Sequence, residues 1–268
     1  MSSDFEPEGD LVTSPPAKMP DSQILGLIED NLMKGLLLMP LFPEHAQDLY
    51  TNLGGPQNDH LYSYMPDGPF HDLDSFTKHM SFLMSSSIFF PFSIFSADER
   101  HLSNQGPQEY GKPGERPATA MGIICLMNMR TEHRSIEIGH VLFPTSLQKT
   151  TEATEACYLL MKYAFEELGY ERVEWKCNDR NAGSRRAAER LGFRFEGVHR
   201  KHMVVKGRRR DTAWFSCLDG EWFGREVEGG KVGVKEALER WLEEGNFDGE
   251  GRQRKTLEDI REGKRRLE

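Results

Sequence analysis

The chain has 268 residues, a formal net charge of -9 and 37% hydrophobic residues. Its length fits one large domain, or one domain with appendages, and its acidity speaks against a general affinity for nucleic acid or anionic membranes. No apolar run reaches the ~18 to 20 residues a membrane-spanning helix needs, and the acidic, proline-containing start matches neither a secretory signal nor a transit peptide. A cytoplasmic protein is therefore expected. Cys125, Cys157, Cys177 and Cys217 lie far apart within apolar runs, as buried thiols in a reducing compartment do. No Cys/His spacing points to zinc, and no metal is expected.

Residues 1 to 20 are rich in Ser, Pro, Glu and Asp and read as a disordered or loosely attached segment. Ile24, Leu25, Leu27, Ile28 and Leu32 have roughly helical spacing, and Lys34 to Leu41 reads as the first strand. Pro43 to Leu53 is a helix ended by Gly54-Gly55-Pro56. The aromatic, Pro/Gly-rich loop from Leu61 to Phe70 either lines a pocket or plugs a core edge. Asp72 to Ser85 is an amphipathic helix with Leu73, Phe76, Met80, Leu83 and Met84 on one side and Asp72 or Asp74 as its cap. Strands come next at Ile88 to Phe95 and Ala118 to Met129, joined by a polar insertion over 97 to 117. After a turn at Thr131 to Arg134, Ser135 to Phe143 is a strand.

The spacing of Ala153, Ala156, Cys157, Leu160, Met161, Ala164 and Phe165 predicts a helix capped by Gly169. Val173 to Cys177 is a strand, Ser184 to Leu191 a short helix capped by Gly192, and Phe193 to Val198 another strand. His199 to Arg210 reads as a basic turn around Gly207, Thr212 to Leu218 as the last strand, and Trp222 and Phe223 as docking residues for the C-terminal segment. The domain is thus expected over 21 to 223. From Gly224 the composition shifts to a charged tail over 224 to 268, where Val234, Ala237, Leu238, Trp241 and Leu242 form one amphipathic helix and Leu257, Ile260 and Leu267 mark a second.

Three places in the second half carry chemistry. The polar stretch Gln148 to Thr154 opens a helix directly after a strand. Unpartnered amides and the helix dipole there suit a diphosphate, while the plainer alternative is a strand-to-helix turn with polar caps. Asn181 is either the N-cap of the next helix or, with Ser184, part of a pocket at the same sheet edge. Arg185, Arg186 and Arg190 on that helix are phosphate partners or a solvated face. Glu137 stands in a strand between Ile136 and Ile138. It is a base in a cleft, or a residue on the polar sheet face paired to an arginine such as Arg134. His133, His140, His199 and His202 are further possible proton carriers, none marked by its spacing.

Glu137-Ile138-Gly139-His140-Val141-Leu142-Phe143, then Gln148 to Ala156, then Asn181-Ala182-Gly183-Ser184, then Glu189-Arg190-Leu191-Gly192-Phe193 resemble, in order and spacing, the GNAT superfamily of acyl-CoA N-acetyltransferases. The nearest branch is that of the RimJ/RimL ribosomal-protein N-terminal acetyltransferases, and the likeness covers roughly 34 to 223. The resemblance implies an α/β (α+β) GNAT fold: a mixed, twisted, mostly antiparallel sheet flanked by helices, whose fourth and fifth strands splay apart around acetyl-CoA. It implies that amides of Val141, Leu142 and Phe143 hold the pantetheine arm, and that amides of Gln148, Lys149, Thr150, Thr151, Glu152 and Ala153 hold the pyrophosphate. Asn181 and Ser184 then meet the thiol end, with Ser184 returning a proton to the thiolate and Glu137 acting as base. The family's pyrophosphate loop usually reads Gln/Arg-x-x-Gly-x-Gly/Ala; here Thr151 stands at the first glycine and Ala153 at the last position.

The resemblance thus implies an N-acetyltransferase that moves an acetyl group from acetyl-CoA to a primary amine, either a protein N-terminus or a small molecule, in a ternary complex and as a monomer or homodimer. The alternative is a non-catalytic acyl-CoA-binding module acting through its appendages. The basic segment Arg200, Lys201, Lys206, Arg208, Arg209 and Arg210 is either a solvated hairpin tip or an attractor of an acidic peptide, a nucleotide-like substrate or RNA. No nucleic-acid partner is expected from the charge balance.

Overall fold

Seven strands make one sheet in the order β1-β2-β3-β4-β5-β7-β6. They are β1 (Leu36–Pro40), β2 (Phe89–Ser96), β3 (Ala120–Arg130), β4 (Ser135–Leu142), β5 (Arg172–Asn178), β6 (Arg194–Val205) and β7 (Arg208–Leu218). The structure is a computed structural model that describes residues 12, 14–21, 36–96, 119–227 and 231–263. The helix expected around Ile24 to Leu32, the insertion over 97 to 117 and Leu267 lie outside the described residues. Every neighbouring pair is antiparallel except β4 with β5. That parallel pair is bonded only at Ser135↔Arg172, Ile136↔Val173 and Glu137↔Glu174. Beyond these residues the two strands diverge, so the sheet opens into a wedge, as the resemblance implied.

Helices cover both faces of the sheet. On one face, α1 (Ala46–Leu53) and α2 (Leu73–Ser85) bury Leu49, Leu53, Phe76, Met80 and Leu83 against Ile123 and Cys125. Asp72 caps α2 by accepting from the Ser75 amide. On the other face lie α3 (Thr151–Lys162), which continues as a π-helical turn over Tyr163–Glu167, and α4 (Ala182–Leu191). Their core includes Tyr158, Leu159, Leu160, Ala188 and Leu191. The loop from Leu61 serves both purposes open to it: Tyr62 and Phe70 belong to the first core, while Leu61, Tyr64, Met65 and Pro66 line the cleft.

Two expectations need amendment. The basic turn expected over His199 to Arg210 is mostly strand. β6 runs on to Val205, β7 starts at Arg208, and Lys206-Gly207 alone turn the chain, both with positive φ. Two left-handed residues match the twist of a tight hairpin. Phe223 does not dock; it is exposed, whereas Trp222 is fully buried, stacked on Phe165 and Tyr158 with its indole N–H donated to Glu166. The charged tail packs on the domain. After the short α5 (Asp219–Trp222), α6 (Val234–Leu242) buries Val234, Ala237, Leu238, Trp241 and Leu242, and α7 (Leu257–Arg261) buries Leu257 and Ile260. At the other end, Ala17 is buried and the amides of Ala17 and Lys18 bond to Thr131 and Leu168 carbonyls. No helix among the described residues is long and apolar enough to cross a membrane.

Candidate active site

The wedge between β4 and β5 opens into one cavity of about 1780 Å³. Every residue that the resemblance assigns to the site lines it: Glu137, Val141, Leu142, Phe143, Gln148, Lys149, Thr150, Thr151, Glu152, Ala153, Asn181 and Ser184; so do Arg186, Arg190, His140 and His202, whereas Arg185, His133 and His199 do not. A strand edge, a helix start and a second helix start, far apart in the chain, thus surround one volume.

The β4 wall depends on a bulge. Ile123 pairs with Leu142 and Cys125 with Gly139, so β4 carries one residue more than β3 over this span. His140 absorbs the irregularity at φ 47, a left-handed conformation uncommon for a residue with a side chain. A Cβ at Gly139 would lie 2.5 Å from the Met127 sulfur, so a side chain there would displace the methionine. Because pairing to β5 stops at Glu137, the edge of β4 beyond it turns its backbone groups to the cleft.

At the start of α3, Thr150 is the N-cap: its hydroxyl oxygen accepts from the Ala153 amide and its hydroxyl donates to the Leu147 carbonyl. The Gln148 amide donates to the Pro144 carbonyl. Two of the six amides named for the diphosphate are therefore already bonded, and the four from Lys149 to Glu152 remain for a ligand. The left-handed residue here is Lys149, at φ 65, while Thr151 is the first helical residue. A threonine in place of glycine at 151 consequently costs no backbone strain, and its hydroxyl donates to the Glu152 carboxylate.

Asn181 caps α4, its side-chain oxygen accepting from the Ser184 amide at 3.0 Å. The Ser184 hydroxyl oxygen accepts from the Trp175 indole N–H at 2.9 Å. That bond leaves the serine's own hydrogen to donate elsewhere.

Glu137 is only 5% exposed and is engaged on one oxygen. Its Oε2 accepts from Asn128 Nδ2 and from Lys176 Nζ, each at 2.7 Å. Its partner is Lys176, across the wedge, and not Arg134, which pairs with Glu171. Lys176 also bonds Glu174 at 2.7 Å and sits 4.2 Å above the Trp214 ring. Burial alone would lift the Glu174 carboxyl, but the bonds from Lys176 and Arg172 hold it below the usual carboxylate range.

Sequence reasoning left His79 out. It is buried on α2, stacked on Phe70, with its Nε2 3.3 Å from His140 Nε2. Burial lowers both rings: His140, with His79 beside it, is pushed down to about 3, and for His79 the burial effect outweighs the Asp67 charge. The two neutral rings share one hydrogen bond. Asp67 brings a third potential ligand atom, all three lying within 4.8 Å of one another. The hydrogen bond between the rings accounts for their closeness. Also absent from the sequence-derived set were Lys176, Thr212 and Trp214, which line the far wall together with Arg210 of the basic segment. On β7, Arg210, Thr212 and Trp214 alternate with Ala213 and Phe215 of the core. A strand face that alternates arginine, threonine and tryptophan was the signal available for them.

The tail reaches the cavity too. Trp241, Phe247, Gly251 and Gln253 line it, and the Arg190 guanidinium lies 4.5 Å over the Trp241 ring while bonding the Thr154 hydroxyl.

Comparison with known proteins agrees with this architecture. Residues 36–194, more than half of the chain, match the acetyltransferase (GNAT) domain model. The crystal structure of a GCN5-related N-acetyltransferase from Brucella melitensis is 32% identical, with a TM-score of 0.78 over 93% of this chain and 98% of that one. A GNAT-family structure from Chromobacterium violaceum is 37% identical, with a TM-score of 0.65 over 82% of this chain and 99% of that one. YdaF of Bacillus subtilis, which bears a provisional ribosomal N-acetyltransferase name, is 36% identical over 105 residues, which make up 39% of this chain and 57% of YdaF. With a family match over most of its sheet and a near full-length structural relative, the chain belongs to the GNAT family of acetyltransferase enzymes.

Proposed function

We propose that the protein transfers an acetyl group from acetyl-CoA to a primary amine, of the kind found at a protein N-terminus or on a small molecule. The observation that carries this reading is the convergence of the β4 bulge, the uncapped amides at the start of α3 and the Ser184 hydroxyl on one cavity. The cavity is large enough for a diphosphate-linked, extended cosubstrate, and the amides of Lys149 to Glu152 with the helix dipole suit its diphosphate. Acetyl-CoA supplies the activated acetyl group as a thioester.

The chain's own residues position and exchange protons. A backbone amide on the free edge of β4, that of Val141 or Leu142, holds the acyl carbonyl and stabilises the charge that develops on it. The incoming ammonium must lose a proton before it attacks. Glu137 Oε2 is saturated by Asn128 and Lys176, so Oε1, directly or through one water, is the acceptor that remains. The Ser184 hydroxyl, oriented by the Trp175 indole, provides the proton at the thiol end. Asn181 acts on this step by fixing the turn that carries Ser184.

Ser184→Ala should lower kcat by about a hundredfold, the scale of a lost general acid, with little change in KM for acetyl-CoA. A thiol-release assay on an amine panel reads it, and an unchanged kcat would remove Ser184 from the reaction.

A further inference from the structure

A second cavity, of about 280 Å³, adjoins the acceptor side of the cleft and is lined by Lys206, Arg208, Arg209 and Arg210. Arg210 and Asn178 line both this cavity and the main cleft, so a ligand in one is within a side chain's reach of the other. Four cations meet here in a chain whose net charge is -9. The one carboxylate among the described lining residues, Asp59, is bonded to His71 at 2.8 Å. Lys206 donates to the Tyr62 carbonyl at 3.0 Å, which fastens the hairpin tip against the loop at the cleft mouth.

Two donors of the main cleft, one of them at the join, have no acceptor. The Arg210 Nε and the Trp214 Nε1 are both buried and lack a hydrogen-bond partner in the folded chain. Native proteins seldom leave buried donors unpaired, and such groups mark places where something else supplies the acceptor. Burial also draws the Arg210 guanidinium below its usual range, an effect that a neighbouring anion would reverse. Arginines offer paired, planar donors that suit carboxylates and phosphates in particular.

We infer that the acceptor amine carries an anionic group, a carboxylate or a phosphate, which the Arg208–Arg209–Arg210 cavity holds while the amine lies in the cleft beside Glu137. This inference rests on the acetyl-transfer reading for the role of the amine, but not for the anion site itself. A polycationic amine is disfavoured at such a wall by like-charge repulsion.

The test is calorimetry on the full chain loaded with CoA. The probes are O-phosphoethanolamine against ethanolamine, the peptide Ala-Glu-Glu against Ala-Gln-Gln, and spermine. Each anionic probe that fits should bind at least about tenfold more tightly than its neutral counterpart, and more weakly as salt rises; the better of the two identifies the anion as phosphate or carboxylate. Arg208→Ala combined with Arg209→Ala, both at exposed positions, should abolish the preference and leave acetyl-CoA affinity unchanged. Equal or absent binding of the anionic probes, a preference for spermine, or a preference that survives the double substitution would each overturn the inference. Thiol release with the same probes separates the two readings. Selective binding without release contradicts acetyl transfer and leaves the anion site standing; release confined to neutral amines or spermine does the reverse.

Discussion

The two walls of the cleft are made of different material. The wall proposed to hold the cosubstrate, from β4 through the start of α3, presents backbone: a bulged strand edge and the first amides of a helix. The wall proposed to hold the acceptor, from β5 to β7, presents side chains: Lys176, Arg210, Thr212 and Trp214. A ligand common to a whole family can be held by main-chain groups, which any residue provides if the fold is right. A ligand peculiar to one protein must be told apart by side chains. The difference therefore separates a wall that the fold's backbone builds from one that depends on particular side chains, and each wall can be disturbed without the other.

The largest effect is expected where the tail closes the cosubstrate wall. Trp241 is buried and stacks under Arg190. Trp241→Ala should cost about 3 to 5 kcal/mol of stability, as for other large-to-small core changes, and weaken acetyl-CoA binding with it; denaturant unfolding checks the first and calorimetry the second. An unaltered unfolding midpoint would show that the tail is an ornament to the domain and no part of its wall.

A subtler change addresses the backbone directly. Thr151 is the first residue of α3, a position where proline fits, and Thr150 before it is extended at φ -92 and ψ 170, as a residue preceding proline prefers. Thr151→Pro thus deletes one amide donor while sparing the helix. Acetyl-CoA affinity should fall by about 1.5 to 3 kcal/mol, the scale of a hydrogen bond to a charged group, with the melting temperature nearly constant. Equal affinity would place the diphosphate elsewhere.

The smallest effect at neutral pH concerns the histidine pair between the walls. His140 is pushed down to about 3 from an ordinary 6.5 by burial and by His79. Between those values the unfolded chain binds a proton that the folded chain refuses, so stability is fullest above the upper value and falls as pH drops through the window. His140→Asn, which tolerates the left-handed backbone, should flatten the decline of melting temperature with falling pH. A slope as steep as that of the parent would show that other groups cause it.

The same contrast explains what was legible beforehand. The helix start at Thr150, the α4 cap at Asn181 and the strand holding Glu137 stood out because backbone-built features need particular residues at fixed local spacing. The acceptor wall did not, since Lys176 and Trp214 meet only through strand pairing, and His79 reaches His140 only because α2 packs beside the bulge. Arg208 to Arg210 was read as turn because basic residues cluster around a glycine. The turn is in fact two residues long, and those arginines begin a strand; all three line the smaller cavity and Arg210 also faces the main cleft. Glu137 stands out in the sequence as a carboxylate inside a strand, but its partner Lys176 comes from the strand across the wedge, a pairing that no local pattern encodes. The tail's composition marked it as separate; its apolar residues, spaced for one helix face, were the better guide.

Independence of the two walls can be measured in a single experiment: calorimetric titration of acetyl-CoA into the parent chain, Thr151→Pro and the Arg208→Ala/Arg209→Ala double variant. If cosubstrate and acceptor are held separately, the parent shows one site, the proline lowers its affinity about tenfold or more, and the double variant leaves it untouched. No binding by the parent, or equal weakening by both changes, would contradict separate walls.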